Sequence, residues 1–258
     1  MKTGYHVVYA KDYFQGIDDA HAHGFDFAQF DLGVPEYYLD GLSSAQLRWI
    51  LDYAQGNGVE ITFHAPGDNV SLFADYPSVR RGNLEQFKRT LEQANLLRAR
   101  HMTVHAGLPF AAKQSGRQDD DFLCAHAKYY EDVLYENLLE VLRRAGDVLI
   151  CLENYNFNEI IMRVAQRLID EGKPLYLTLD VAKPHDMEFY RKNKKAIREM
   201  HIHDINGHRS HQTVGTGNID FSQFKQFYGP DVYMNFEVRP VEEAAKSKLA
   251  LEAIVGIW

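Results

Sequence analysis

The chain has 258 residues, 45% of them hydrophobic and 25% charged, with a formal net charge of −8. That length suits one large domain or two small ones, no apolar run is long enough to cross a bilayer, and an acidic chain with only short basic clusters (Arg80-Arg81, Arg143-Arg144 and residues 191–198) counts against nucleic acid as a partner. The two cysteines, Cys124 and Cys151, form no C-x-x-C pair, and the opening MKTGYHVVYAKDYF lacks the apolar core and cleavage site of a signal peptide, so a cytoplasmic protein is expected.

Short β-branched or aromatic runs alternate with longer amphipathic stretches along the whole chain. The first runs are YHVVYA (5–10) and FDFAQFDL (25–32). The stretch LSSAQLRWILDYAQGNG then reads as a helix, with Ser43 or Ser44 as N-cap and a stop near Gly56 and Gly58. Strand-like VEITFHA (59–65) follows, then a helix carrying Leu84, Phe87, Leu91 and Ala94 at helical spacing. After HMTVHAG (101–107) comes the longest helical stretch, 120–146, which begins in a run of aspartates. The run VLICLEN (148–154) places Cys151 in the core and precedes a helix in 158–172. Three more runs are PLYLTLD (174–180), EMHIHD (199–204) and DVYMNFEV (231–238), and the last stretch, 241–255, is helical.

Eight strands alternating with helices predict an α/β fold, a (β/α)₈ TIM barrel in a single domain spanning 1–258. An open doubly wound sheet is the alternative, weakened because no Gly-rich dinucleotide fingerprint follows the first strand. No linker rich in Pro, Gly or Ser divides the chain.

Barrel chemistry sits at the C-terminal ends of the strands. His64, His105, Glu153, Asp180 and Glu237 all fall at the ends of their runs, and His201 and His203 lie in the seventh. A buried carboxylate or imidazole is costly unless paired or bound to a metal. Six successive strands bearing such a residue at one level point to a shared cation, and a His/Asp/Glu set without Cys suits Mn²⁺, Zn²⁺, Co²⁺ or Mg²⁺. Each residue alone has a plainer reading. Asp180 or Asp204 could cap a helix, and His6, His101 and His126 read as hydrogen-bonded structural histidines. The segment MHIHDINGHRSHQTVGTGNIDF (200–221) holds four of the twelve histidines, His201, His203, His208 and His211. His203 shares a strand face with His201 and serves either as a ligand in its place or as a substrate contact. His208 reads as exposed loop. The Gly215-Thr216-Gly217 turn could present backbone N–H groups to a phosphate or hydroxyl.

HAP at 64–66, VHAG at 104–107, LEN at 152–154, LD at 179–180, H-x-H-D at 201–204, H-x-x-x-G-x-G at 211–217 and the glutamate of FEV at 237 together resemble the xylose-isomerase-like TIM-barrel superfamily. That superfamily includes sugar isomerases and epimerases, dehydratases and the apurinic-site endonucleases. The resemblance implies a metal site of Glu153, Asp180, His201 and Glu237. In the multi-metal branch, His64 and His105 join Glu153 around a second ion, and His211 matches a third position. Two departures stand against an intact three-metal site: Lys183 and Arg209 stand where that branch has a histidine and an aspartate, and only His185 is near enough to compensate for the former.

The function expected is a divalent-metal-dependent isomerase or epimerase of a sugar or sugar phosphate. Glu153 and Glu237 would exchange a proton beside a polarised carbonyl. His64, His105, Lys183, His185, His203, Arg209 and His211 would contact substrate. The competing readings are a metal phosphodiesterase acting on abasic DNA, a sugar or polyol dehydratase, and a barrel that binds a sugar or metal without turnover. The expected partner is a small molecule, and association into a homo-oligomer is left open.

Overall fold

A computed structural model describes residues 1–67, 70–107 and 125–256. Eight parallel strands close into a barrel. In chain order they are β1 (Lys2–Val7), β2 (Phe27–Asp31), β3 (Glu60–His64), β4 (His101–Val104), β5 (Leu149–Glu153), β6 (Leu175–Asp180), β7 (Ile197–Ile202) and β10 (Tyr233–Phe236). Each pairs with its sequence neighbour, and β1 pairs with β10 to complete the ring. The (β/α)₈ expectation is correct. Between β7 and β10 the chain inserts a two-stranded antiparallel hairpin, β8 (Asp204–Asn206) with β9 (Arg209–Gln212), which the sequence reading did not foresee.

Helices cover the outside: α1 (Tyr13–Ala22), α2 (Ser44–Gly56), α3 (Pro77–Leu96), α4 (Ala127–Arg144), α5 (Glu159–Asp170), α6 (Met187–Lys192) and α7 (Val241–Val255). Ser43 caps α2 as expected and shares a capping box with Gln46. Asn158 caps α5, accepting from the Ile161 amide at 3.0 Å. The aspartates expected to open α4 lie outside the described residues, as does Cys124. Helix α3 starts at Pro77, ahead of its periodic apolar positions, because proline at the first turn forfeits no hydrogen bond. Helix α1 was not anticipated. It is short and carries Gly16, where a Cβ would come within 2.7 Å of the Phe30 ring. VGTGNIDF leads into a 3₁₀ helix, Phe221–Phe227.

Strand alternation divides the residues cleanly. Outward positions such as Phe30, Phe63, Met102, Val104, Leu152, Leu179, Ile202 and Phe236 are fully buried under the helices and form the apolar core. Inward positions are polar almost throughout. Gln29, Thr62, Thr103, Thr178, Glu199 and Asn235 are all buried inside the ring. The same parity carries Thr62 to His64, Thr178 to Asp180, Glu199 to His201 and Asn235 to Glu237, so the polar series continues upward to the mouth.

Strand β1 runs over Lys2–Val7 rather than 5–10. Asp26 pins its start by accepting the Thr3 amide at 2.7 Å, and the chain leaves the barrel after Val7, with Tyr9 77% exposed. This shift puts His6 at the top of its strand. Strand β7 likewise occupies 197–202, displaced from the expected 199–204, with an irregular register against β6 at Leu177/Thr178.

Candidate metal centre

At the C-terminal mouth the inward residues at the ends of seven strands meet. Glu153 is the hub on one side. A single oxygen, Oε2, lies 2.9 Å from Nε2 of His105, 3.2 Å from Nε2 of His64 and 3.7 Å from Nδ1 of His201. Glu237 is the hub on the other, with Oε1 3.1 Å from Nδ1 of His6 and 3.2 Å from Nδ1 of His201. Asp180 completes the set: one donor atom each from Glu153, Asp180 and His201 lies within 4.8 Å of the others. A second such trio is His64, His105 and Glu153, and a third is His203, His211 and Glu237.

At Glu153, Glu237, His64 and His201 burial works against charge, but neighbours of opposite sign win. The imidazoles of His105 and His201 hold Glu153 well below the usual carboxylate range. His201 and His6 do the same for Glu237. Burial would lower His64, yet its hydrogen bond to Glu153 and the nearby carboxylates push it up to about 9. His201 is likewise raised, with Glu237, Glu153 and Glu199 outweighing burial.

The Nδ1 atom of His201 is buried, sits between two carboxylates and makes no hydrogen bond. An imidazole nitrogen in that position can serve as a metal ligand. With Glu153, Asp180 and Glu237 around it, a divalent cation of the Mn²⁺, Zn²⁺, Co²⁺ or Mg²⁺ kind fits the donor set. Asp180 is held firmly in place. Its backbone amide donates to Asn154 Oδ1 at 2.7 Å, Asn154 Nδ2 donates back to its carbonyl at 2.9 Å, and the Ala182 amide donates to its Oδ1 at 2.8 Å. The asparagine of the LEN motif is therefore a clamp on the aspartate one strand over.

His203 faces the same mouth differently. Its Nδ1 accepts the backbone N–H of His211 at 3.0 Å, which turns Nε2 toward Asp180. That Nε2 is 3.4 Å from either oxygen of Asp180. His211 reaches its place in the left-handed region, φ 57°, with its ring stacked 4.3 Å from that of His203 and its Nδ1 3.0 Å from the Glu237 carbonyl. Burial, helped by the charges of His203 and Arg239, lowers His211 to about 4.

The loop that carries His211 is organised by Asp204. Its carboxylate accepts four backbone N–H groups, from Ile205 (2.8 Å), Ile219 (3.0 Å), Gly215 (3.0 Å) and Gly217 (2.8 Å). The glycine amides expected to meet a phosphate are thus spent on an internal carboxylate. Gly217 is required by close approach, since a Cβ there would lie 2.2 Å from the Ile205 carbonyl oxygen.

A cavity of about 300 Å³ opens over the cluster, lined by both glutamates, His6, His64, His105, His211, Tyr155, Lys183 and Arg239. Lys183 lies 3.9 Å from Asp180 and 5.7 Å from the centre of the Tyr155 ring, which itself stacks on His105. His185 turns away from the cavity, against Phe224, and Arg209 and His208 are exposed on the hairpin. The sequence reading passed over three residues here. His6, which by itself reads as a hydrogen-bonded structural histidine, stands at the top of β1 because that strand starts three residues before the expected run. Asp31, 3.5 Å from His6, ends β2 in the same way that Asp180 ends β6, a signal that FDFAQFDL carried. Arg239 contacts His6 at 3.4 Å and follows the FEV glutamate by two residues.

A family model described as xylose isomerase-like TIM barrel matches residues 17–251. An uncharacterised protein of Methanocaldococcus jannaschii, MJ1311, is 25% identical over 240 residues, covering 84% of this chain and 77% of that one. Among solved structures, D-psicose 3-epimerase from Clostridium cellulolyticum H10, crystallised with D-tagatose, superposes with a TM-score of 0.76 at 17% identity, covering 99% of each chain. An IolI protein with a bound zinc atom superposes with a TM-score of 0.73 at 16% identity, covering 100% of each chain. At these identities the structural likeness is one of fold.

Proposed function

This chain belongs to the xylose isomerase-like TIM barrel family, and on that premise we propose that it is a divalent-cation-dependent isomerase or epimerase of a sugar or sugar phosphate. One observation carries the reading. Two strand-end glutamates, Glu153 and Glu237, line one cavity and are kept ionised by separate sets of histidines that share only His201. Two such carboxylates on one cavity would suit removing a proton from a bound carbon and returning one. The fold likeness to a D-psicose 3-epimerase and to a zinc-containing IolI protein supports it.

The residues that would hold the cation are Glu153, Asp180, His201 and Glu237. What a cation supplies there when bound is polarisation of the substrate carbonyl, which acidifies the neighbouring C–H. The rest falls to the chain. A carboxylate gripped by three imidazoles is a weak base, so substrate entry must loosen the histidine contacts of whichever glutamate takes the proton. A proton to return has a source in the charged ring of His64, 3.2 Å from Glu153. Lys183 and His211 on the cavity wall, with Arg239 beside them, suit a phosphate or carboxylate on the substrate. Arg209, exposed on the hairpin, would reach only a substrate that extends beyond the cavity.

Elemental analysis of protein purified without chelator is expected to find about one equivalent of divalent metal per chain. Chelation should abolish turnover in a panel of ketopentoses, ketohexoses and their phosphates. A protein that carries no metal and takes none up on addition overturns the proposal. Loading should also release a proton, because His201 holds its proton above the ordinary histidine range and a ligand nitrogen must be bare. That proton is bound at neutral pH in the cation-free protein, so affinity should weaken as pH falls from about 8 to about 6. Calorimetric titration in buffers of differing ionisation enthalpy measures both, and a pH-independent affinity would contradict the assignment.

A phosphodiesterase of the apurinic-site type is the second reading, favoured by the convergence of His64 and His105 on Glu153. It predicts two or more zinc equivalents and incision of an abasic-site duplex. No incision at high protein concentration removes it.

A further inference from the structure

One strand layer below the mouth the barrel holds a buried carboxylate that the chemistry above leaves unused. Glu199, inward-facing on β7, is 0% exposed. Its Oε1 accepts Nε2 of Gln29 at 2.7 Å and lies 3.0 Å from Nε2 of His101. Its Oε2 accepts the Thr103 hydroxyl and, at 3.2 Å, the Thr178 hydroxyl, and lies 3.4 Å from Nε2 of His201. Gln29 is itself held, its Oε1 accepting Nδ2 of Asn235 at 2.6 Å. Strands β2, β4, β6, β7 and β10 all contribute to fixing one carboxylate.

Barrel interiors are ordinarily filled by branched apolar side chains, and an apolar residue would avoid the desolvation cost of a buried charge. The partner that gives the arrangement a purpose is His201. Its ring lies between two sets of carboxylates, with Nδ1 facing Glu153 and Glu237 above and Nε2 facing Glu199 below. A neutral imidazole coordinates through its unprotonated nitrogen, and the other nitrogen's N–H then needs an acceptor. Among the described residues, Glu199 is the one carboxylate within 4 Å of Nε2. The two atoms are not yet in hydrogen-bond geometry. A ring freed from its pull toward Glu153 and Glu237 can close that gap.

We propose that Glu199 is a positioning residue of the metal centre: it keeps the His201 proton on Nε2 and the ring in plane, so that Nδ1 stays open to a divalent cation. The proposal rests on the metal-centre reading above. Its neighbours fit the role. The Thr103 and Thr178 hydroxyls and Gln29 fix where the carboxylate lies, and His101 takes the oxygen that points away from His201. A Glu199 that only neutralised His101 would stabilise the barrel and leave cation affinity untouched.

The test is Zn²⁺ affinity of the full chain, measured by competition with a chromogenic chelator. Glu199→Gln is expected to weaken it by about 10- to 100-fold. In the zinc-loaded parent, the histidine ring ¹⁵N spectrum should show a protonated Nε2 on His201. If Glu199→Gln does not fold, Thr178→Val removes one anchor of the carboxylate at nearly constant volume and should also weaken binding. Parental affinity in the folded Glu199→Gln protein, or in Thr178→Val should that be the variant read, overturns the proposal and leaves the metal centre standing. A parent that binds no Zn²⁺ overturns both.

Discussion

Glutamine in place of Glu237 is expected to lower kcat/KM by on the order of 10³-fold or more, and Glu153→Gln to do the same, in proteins that remain folded. The substitution keeps volume and one acceptor oxygen while removing the negative charge and the ability to take a proton. Each glutamate is nearly fully buried, so no solvent base can substitute for it. The losses have two sources: the missing base, and a weaker hold on the cation where one of four ligands becomes neutral. They separate when the measurement is repeated at saturating metal. The part that persists belongs to proton transfer. Folding is expected to survive because the substitution is nearly isosteric and leaves every residue of the apolar shell between strands and helices in place, and circular dichroism with a melting curve checks it. Full activity in both variants would sink the isomerase reading.

The second large effect concerns stability. Asp204→Ala is expected to cost about 3–5 kcal/mol, read by urea denaturation. The Asp204 carboxylate is 1% exposed and accepts four backbone N–H groups spread over residues 205–219. Alanine would leave those donors without the acceptor they converge on. Bonds to a charged acceptor contribute about 1.5–3 kcal/mol each, but they share one group and part of the loop can rehydrate, so the sum is not realised. Asp204→Asn, which keeps one acceptor oxygen, should cost about half as much. The loop also sets His211 in its left-handed conformation and so presents the amide that fixes the His203 ring. The alanine variant should therefore lose cation affinity or turnover as well as stability. A change under about 1 kcal/mol would mean that the four contacts are not held in solution.

The strand-end cluster could be read from the sequence because two local periodicities report it. Alternation along a strand fixes which residues face inward, so His64, Glu153, Asp180, His201 and Glu237 follow from their runs once the barrel is accepted. The helices α2, α5 and α7 were legible for the same kind of reason, as amphipathic stretches with Ser43 at the start of the first.

What the sequence could not supply were contacts between distant segments. Strand β1 begins where Asp26 holds Thr3, and that bond, not any local pattern, brings His6 to the mouth beside Asp31 and Glu237. Glu199 meets Gln29, 170 residues away, only when the ring closes. In EMHIHD it looks like one more charged residue before a histidine pair. The glycines of VGTGNIDF read as free donors until the fold brings the Asp204 carboxylate under them. Composition and periodicity determined that this chain is a barrel with carboxylates and imidazoles at its mouth. Tertiary structure decided which nitrogen faces which oxygen, because a hydrogen bond depends on tenths of an ångström between segments whose separation in sequence says nothing of their separation in space.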